Sequence, residues 1–552
     1  MPRTERTRLA LIAIVWLVAM FAGLGNTALW EPDEPRFAEA TRQMFERGDF
    51  LTPWFNERPR FEKPILLYWL QTPFVAVLGP TETAFRIPAA LAGLLTLLLV
   101  YCLARDLVSA EAGLLAALTL ATTFRFVLYA RQSLTDVPVT FFVTVSIWLF
   151  LRAHDAPEAR SRRDALLAWA ATGLAALTKG PVAVLGPAIW IVFALIFHRQ
   201  TFLPRLHVVF GVLVAAAIAL PWHVYMIALH GRTFVDVALG YEVVARYLSD
   251  DFPGRDRGIF YFVGVWFGDA APWSLFFVSA AIWLYARWRE LEPGTQRLSL
   301  LALIWFAFVV ALFSVSEYKL PHYIMPAYPA TALLTGVFLD AMLRGDRARR
   351  VLWTAPAILS AILLLVGAVL LALLLRRAFE LQWSDVSFVL PAAMAAGGLT
   401  VAITTLRGRA PTGIWTLVTT LVASYAFIVI VIAPRELRRF QPIPGLAASV
   451  RSIAQPGDEL AVAGNYGAPG LVFYARMPVR QLVDRADLVA FLSAPGRRHC
   501  ILPRIEFEAV AGQVPGRYRV VDEGAVFSVR MRRLIERTPE RAGRTLVLIT
   551  SE

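Results

Sequence analysis

Residues 351–375 read VLWTAPAILSAILLLVGAVLLALLL, an uncharged apolar run of 25 residues. At about 1.5 Å of rise per residue, a helix of that length outreaches a hydrocarbon core of about 30 Å. Residues 9–29 and 412–433 are runs of the same kind. The whole chain agrees with them: 57% of its 552 residues are hydrophobic and 17% charged, with a mean hydropathy of +0.58. Soluble domains are poorer in apolar and richer in charged residues, so lipid is the expected solvent for most of this chain. The first run follows Arg3, Arg6 and Arg8 in the manner of a signal peptide. Its apolar stretch is too long for one and no small-residue cleavage site follows, so it reads as a retained anchor. Cys102 falls in a spanning segment and Cys500 in the polar tail, which argues against a disulfide framework.

The net charge of +13 would suit a nucleic-acid partner if it formed a surface, but its placement points elsewhere. Arginines gather in short links around 152–163, 199–205, 287–297, 344–350 and 407–409. By the positive-inside rule these are cytoplasmic loops. Chaining the apolar runs between them from an inside N-terminus predicts about thirteen spanning helices. They lie near 9–29, 84–105, 111–129, 136–153, 165–178, 181–198, 207–229, 259–286, 298–317, 320–343, 351–375, 386–406 and 412–433. The run 65–79 holds Pro73 and is too short to cross, so it is expected at or in the outer membrane face. The first outer loop, 30–83, also carries Phe37, Ala38, Thr41, Met44 and Phe45 at helical spacing after Pro35, which predicts an amphipathic helix lying in the interface. A second outer loop, 231–258, is rich in charge. The fold class expected is therefore a polytopic α-helical membrane domain, residues 1–434, followed by a small soluble α/β domain, residues 435–552. In that tail the short apolar runs 459–463, 471–475 and 545–549 alternate with a helical stretch near 487–492.

Lysine usage is the first pointer to chemistry. The chain's lysines are Lys63, Lys179 and Lys319, and every other basic side chain among its 54 lysines and arginines is an arginine. The expected topology puts all of them at the outer face, each beside proline or glycine, in Phe61-Glu62-Lys63-Pro64, Thr178-Lys179-Gly180-Pro181 and Tyr318-Lys319-Leu320-Pro321. A compact ammonium suits phosphate, and the competing role is a snorkelling anchor. Asp33, in Glu31-Pro32-Asp33-Glu34-Pro35-Arg36, and Asp136, in Thr135-Asp136-Val137-Pro138, belong to the same face. Acids near the hydrocarbon boundary are functional candidates, with helix capping as the plainer role. For a divalent metal (Zn, Mg or Mn) the candidate ligands are Glu62 and His322, meeting Asp33 or Asp136 at the outer face, with His223 and His230 as further candidates, although no compact ligand spacing exists.

The order of these motifs, Glu-Pro-Asp-Glu, Phe-Glu-Lys-Pro, Thr-Asp-x-Pro, Thr-Lys-Gly, an outer loop with Glu242 and Arg246, then Lys-Leu-Pro-His-Tyr, resembles the bacterial aminoarabinose transferases. These are lipid A modifying enzymes related to the protein O-mannosyltransferases, in the GT-C class of membrane glycosyltransferases. The resemblance covers the membrane domain. It implies a GT-C-like fold and an inner-membrane pentosyltransferase, with its site and C-terminal domain in the periplasm. Such an enzyme moves 4-amino-4-deoxy-L-arabinose from undecaprenyl phosphate to a lipid A phosphate, which confers polymyxin resistance. Carried to this chain, it implies catalytic acids at Asp33 and Asp136 and a carrier phosphate at Lys63, with Arg246 and Tyr323 as helpers; Lys179, Lys319 and Arg36 complete the basic set. Ser316-Glu317-Tyr318, before Lys319, departs from the more basic, glycine-containing sequence of the enterobacterial enzymes, which leaves transfer of another sugar or to another acceptor as the alternative.

The chemistry is coherent without the resemblance. Beyond the cytoplasmic membrane no nucleotide pool exists, so a transferase there needs a sugar activated on a lipid carrier, and no phosphate-cradling glycine motif is found. No nucleic acid and no obligate protein partner are indicated. The rival class is a lipid or solute transporter, which would place its ionisable residues near the bilayer midplane and show internal repeats.

Overall fold

The computed structural model describes residues 4–197, 204–245, 257–345, 350–464, 467–514, 518–526 and 545–551. Helices dominate the first four-fifths: α1 (Glu5–Trp16), α2 (Asp33–Arg47), α3 (Leu66–Leu78), α4 (Glu82–Leu107), α5 (Ala110–Ala121), α6 (Phe124–Ala130), α7 (Asp136–Asp155), α8 (Glu158–Lys179), α9 (Leu185–Phe197) and α10 (Val208–Val235), then further apolar helices to Phe427. Local chemistry starts several of them. The hydroxyls of Thr81 and Ser109 accept from the amides of Ala84 and Ala112, 3.3 and 3.0 Å away, so both act as N-caps.

Among the described residues nine helices are long and apolar enough to cross a membrane, or up to eleven if each of two bent pairs is one span. The difference from the expected thirteen has two sources. The first run divides into α1 and a π-helical stretch ending at Phe21, and 158–197 counts as a single apolar unit. That unit nonetheless turns back on itself. Gly180 breaks it at φ +57°, Lys179 pairs with Asp136 at the start of α7, and Arg205 beyond α9 bonds the His154 carbonyl at the far end of α7. Hence α8 and α9 run in opposite directions. Several arginine-rich links are tied at the Arg205 end, by Arg297 with Asp155 (2.7 Å), Arg152 with Asp164 (3.4 Å) and Arg105 with Glu5 (2.7 Å).

α3 has 13 residues with Pro73 inside, as its length in the sequence leads one to expect. α2 differs from expectation: it does not lie open in an interface but is covered on both faces. Glu39 and Arg42, charged residues off its apolar stripe, are buried as an ion pair, Arg42 Nε and Nη2 donating at 2.8 and 2.6 Å.

The C-terminal domain is a five-stranded sheet of β3 (Glu459–Ala463), β4 (Val479–Leu482), β5 (Arg498–Pro503), β6 (Tyr518–Ala525) and β7 (Thr545–Ser551), in the order β4-β3-β5-β7-β6. β3 is parallel to β4 and β5, while β7 is antiparallel to β5 and β6. The apolar run 471–475 is part of a helix, Ala468–Ala475, rather than a strand. Edge strand β4 is closed by the first loop, where β1 (Trp54–Phe55) and β2 (Arg58–Pro59) form a small hairpin. Asn56 at its tip presents an amide to Val479, giving and receiving 2.9 Å hydrogen bonds, so it stands in for a neighbouring strand.

A second clasp joins Glu31 to the Gly470 amide at 2.7 Å; an added Cβ at Gly470 would sit 2.1 Å from the carboxylate oxygen. Glu31 as a residue is exposed, but its carboxyl is lodged against the domain, and burial raises it from 4.5 to about 7. A carboxyl raised on docking favours the docked state when protonated. This contribution is full below the unfolded value of 4.5 and lost as pH rises through about 7. Thermal melts of the full chain should therefore show a downward trend across that window that Glu31→Gln flattens; an unchanged slope in the variant would remove Glu31 as its source.

Candidate active site

Three chain segments meet at the end of the bundle opposite Arg205. The first is the start of α2. Asp33 is its first residue, about half exposed, with Arg36 one turn on at 3.6 Å. The second is the junction of α7 with α8. Asp136 opens α7 and is buried, and Lys179 closes α8 and donates to it at 2.6 Å. The third is the turn Pro321–Ala327, where Tyr323 places its ring 5.4 Å from the Lys179 ammonium and His322 Nδ1 shares a 3.0 Å hydrogen bond with the Tyr129 hydroxyl. Phe37, Phe61, Leu134 and Leu177, near Asp33, Lys63, Asp136 and Lys179 in sequence, pack in one hydrophobic cluster, so these segments surround one centre.

Lys63 enters from the first loop and forms a short ion pair with the buried Glu242 beyond α10. Lys319 is buried just before the turn and has no hydrogen-bond or ion-pair partner among the described residues. Two of the lysines are thus in carboxylate pairs rather than standing as bare phosphate donors. An ammonium carries three protons, so one carboxylate does not exhaust it. Arg246 lies outside the described residues.

The metal expectation does not fit. Glu62 lies 3.9 Å from Arg60, His322 turns to Tyr129, and among the described residues no group of three or more His, Cys, Asp or Glu side chains could hold an ion. Asp136 and Glu242 are instead paired with Lys179 and Lys63.

Several residues near the centre escape a reading of the sequence. Buried Arg60 donates to the Tyr68 hydroxyl at 3.0 Å and lies within reach of the Asp33 charge. Arg125 makes a fork to Asp269, at 2.8 and 2.9 Å, beside Tyr129. Their signal was present: an arginine and an aspartate inside apolar runs are expensive unless paired or used. Glu34 and Arg86, both buried, form a further fork at 2.9 and 2.7 Å. The Glu34 carboxylate also accepts from the amides of Ser133 (2.6 Å) and Trp30 (2.8 Å), which ties the segment before Asp136 to the segment holding Asp33.

Residues 62–225 match the family model described as dolichyl-phosphate-mannose-protein mannosyltransferase. Undecaprenyl phosphate-alpha-4-amino-4-deoxy-L-arabinose arabinosyl transferase 2 of Pseudomonas fluorescens is 30% identical over 376 residues, 67% of this chain and 62% of that protein. An uncharacterized protein of Aquifex aeolicus is 30% identical over 331 residues, 60% of this chain and 73% of that protein. The match thus spans about three fifths of the length of the arabinosyl transferases. The crystal structure of ArnT from Cupriavidus metallidurans bound to undecaprenyl phosphate shares the fold, with a TM-score of 0.77, 23% identity, and coverage of 99% of this chain and 98% of that one.

Proposed function

We propose that this chain is a membrane glycosyltransferase like the undecaprenyl phosphate-aminoarabinose arabinosyl transferases, to one of which it is 30% identical over 67% of its own length, and that it transfers 4-amino-4-deoxy-L-arabinose from undecaprenyl phosphate to a lipid A phosphate at the periplasmic face of the inner membrane. The observation that carries this reading is the packing of the segments bearing Asp33, Lys63, Asp136 and Lys179 around one hydrophobic cluster, with Asp136 and Lys179 directly paired.

In the reaction the bond between the sugar's anomeric carbon and the carrier phosphate oxygen breaks, and a bond from that carbon to an acceptor phosphate oxygen forms. The electron pair of the broken bond stays on the carrier, whose phosphate gains charge. Fixed cations placed where that charge develops lower the barrier. Lys63 is the principal one, with Lys179, Lys319 and Arg36 in support, Arg246 completing the set and Tyr323 flanking the phosphate. Asp136 holds Lys179 at the end of α8 and keeps its charge aimed at the centre. An acceptor phosphate is already anionic at neutral pH and needs no strong base, so Asp33 orients the acceptor or binds the sugar's amino group.

Comparison of lipid A masses from cells with and without the chain tests the overall reading: the aminopentose addition should depend on the chain, and its persistence in the deletion strain would defeat it. The arginine variants test the phosphate assignment. Lys63→Arg retains the pairing with Glu242 but replaces a point donor with a planar fork. It should bind undecaprenyl phosphate and turn over much less well than the native chain. A merely snorkelling lysine tolerates arginine. Silent swaps at Lys63, Lys179 and Lys319 together would move the carrier phosphate to the arginines.

A further inference from the structure

Between the β1–β2 hairpin and the edge of the C-terminal sheet lies an open cleft of about 790 Å³. Its volume is within the range of about 300 to 1,000 Å³ of small-molecule sites. The hairpin wall carries Glu57, Arg58 and Arg60, and the domain wall carries Asp458, Glu459 and Arg480. The domain carboxylates are already spoken for: Asp458 meets His499 Nε2 at 2.9 Å, and Glu459 meets Arg498 at 2.6 Å. Arg58 and Arg480 differ from them. Both are exposed, line the cleft from the hairpin and from the domain respectively, and their side chains have no hydrogen-bond or ion-pair partner among the described residues. The inner end of the cleft is Arg60 and Glu62, which lead directly to Lys63 and, through the charge of Arg60, to Asp33.

A cleft with a guanidinium on either wall, paired carboxylates on the domain side and open carboxylates at Glu57 and Glu62 matches a phosphorylated sugar. Guanidinium forks take phosphate oxygens in pairs, and Glu57 can accept from sugar hydroxyls. Charged side chains outnumber apolar ones in the lining, which favours a headgroup over an acyl chain as the occupant. We propose that this cleft receives the phosphorylated sugar headgroup of the acceptor lipid, anchored by Arg58 and Arg480, so that the C-terminal domain forms half of the acceptor site. This rests on the transferase reading above. The wall contributed by Asn56 and Val479 holds the two halves in register.

The test uses the full chain in lipid nanodiscs, with a diphosphorylated glucosamine disaccharide lipid, its dephosphorylated form, and inorganic phosphate as probes. Direct binding of the disaccharide lipid is measured without donor, and steady-state kinetics with it. Arg58→Ala and Arg480→Ala should each weaken binding of the diphosphorylated lipid and raise its KM by about tenfold or more, the size expected for losing a hydrogen bond to a charged group. The KM for the carrier-linked sugar and kcat at saturating acceptor should stay as in the native chain. Arg58→Lys should recover part of the loss, and the dephosphorylated lipid should bind no better to the native chain than to the variants. Unchanged acceptor binding in both alanine variants overturns the proposal. So does an equal rise in the donor KM, which would report distortion of the Lys63 segment. Displacement of the lipid by equimolar inorganic phosphate also overturns it, by showing a site for a soluble anion. The binding arm needs no turnover, so a native chain that binds through these arginines but transfers no aminoarabinose would defeat the proposed reaction and leave the acceptor cleft standing.

Discussion

Replacing Asp33 by alanine is expected to lower turnover by about 10² to 10³, the range for losing an electrostatic contact made in the transition state, while the chain folds and inserts normally. The structure makes this the cleanest substitution at the centre. Asp33 is about half exposed and its nearest cation, Arg36, is also partly exposed at 3.6 Å, so little native interaction is lost. An acid in a helix's first turn contributes only about 0.3 to 1 kcal/mol through the helix dipole. Asp136 is a poorer probe, because removing it strands Lys179 in a mostly buried position and mixes folding with catalysis. Turnover of a carrier-linked sugar by purified Asp33→Ala, normalised to monodisperse protein, gives the result. Rates within a few-fold of the native chain would leave Asp33 as a first-turn acid that acts only on the helix dipole. Asp33→Asn separates the remaining roles: if charge orients the acceptor or the amino group, asparagine should resemble alanine.

Much of the architecture was legible because lipid imposes a coarse rule: a long uncharged run such as 351–375 must be helical, whatever it packs against. The rule carries no information about partners, and that is where the reading fell short. α2 has an amphipathic pattern, yet which surface covers its polar side depends on a domain more than 400 residues away, through contacts such as Glu31 with Gly470. The lysine motifs were visible because lysine is so rare here, and the sites of Lys63 and Lys179 do open on the same end of the bundle. Their carboxylate partners, Glu242 and Asp136, were separate candidates, with no local pattern to say they pair. The metal expectation brings Glu62 and His322 together at the outer face with Asp33 or Asp136, whereas in the fold Glu62 stands 3.9 Å from Arg60 and His322 bonds Tyr129. Arg125 with Asp269 lay inside runs scored as spans, where two charges are outvoted by their apolar neighbours.

The largest effect on stability is expected at Arg86, which no motif singles out. Its guanidinium is buried near the start of α4, forks onto Glu34 at 2.9 and 2.7 Å, and also donates to the carbonyls of Leu24, Thr27 and Ala28 at 2.6, 3.0 and 2.8 Å. Those carbonyls belong to the stretch leaving the first helix, and Glu34 in turn takes the Ser133 amide. One side chain therefore ties together α4, the approach to Asp33 and the approach to Asp136. Arg86→Ala leaves a buried carboxylate without its cation, for which a destabilisation of about 3 to 5 kcal/mol is expected. Glu34→Ala should cost a similar amount, and Arg86→Lys should recover little, since an ammonium cannot reproduce the fork and the carbonyl contacts together. If the pair is a coupled unit, the double variant Glu34→Leu with Arg86→Met should be less destabilised than the sum of Glu34→Leu and Arg86→Met measured singly, because it no longer strands a buried charge. Thermal unfolding of the detergent-solubilised full chain measures each variant. Additive losses would mean that Arg86 acts through the carbonyls alone. In that case the spacing between Asp33 and Asp136 would have to be held by something other than the Glu34 carboxylate.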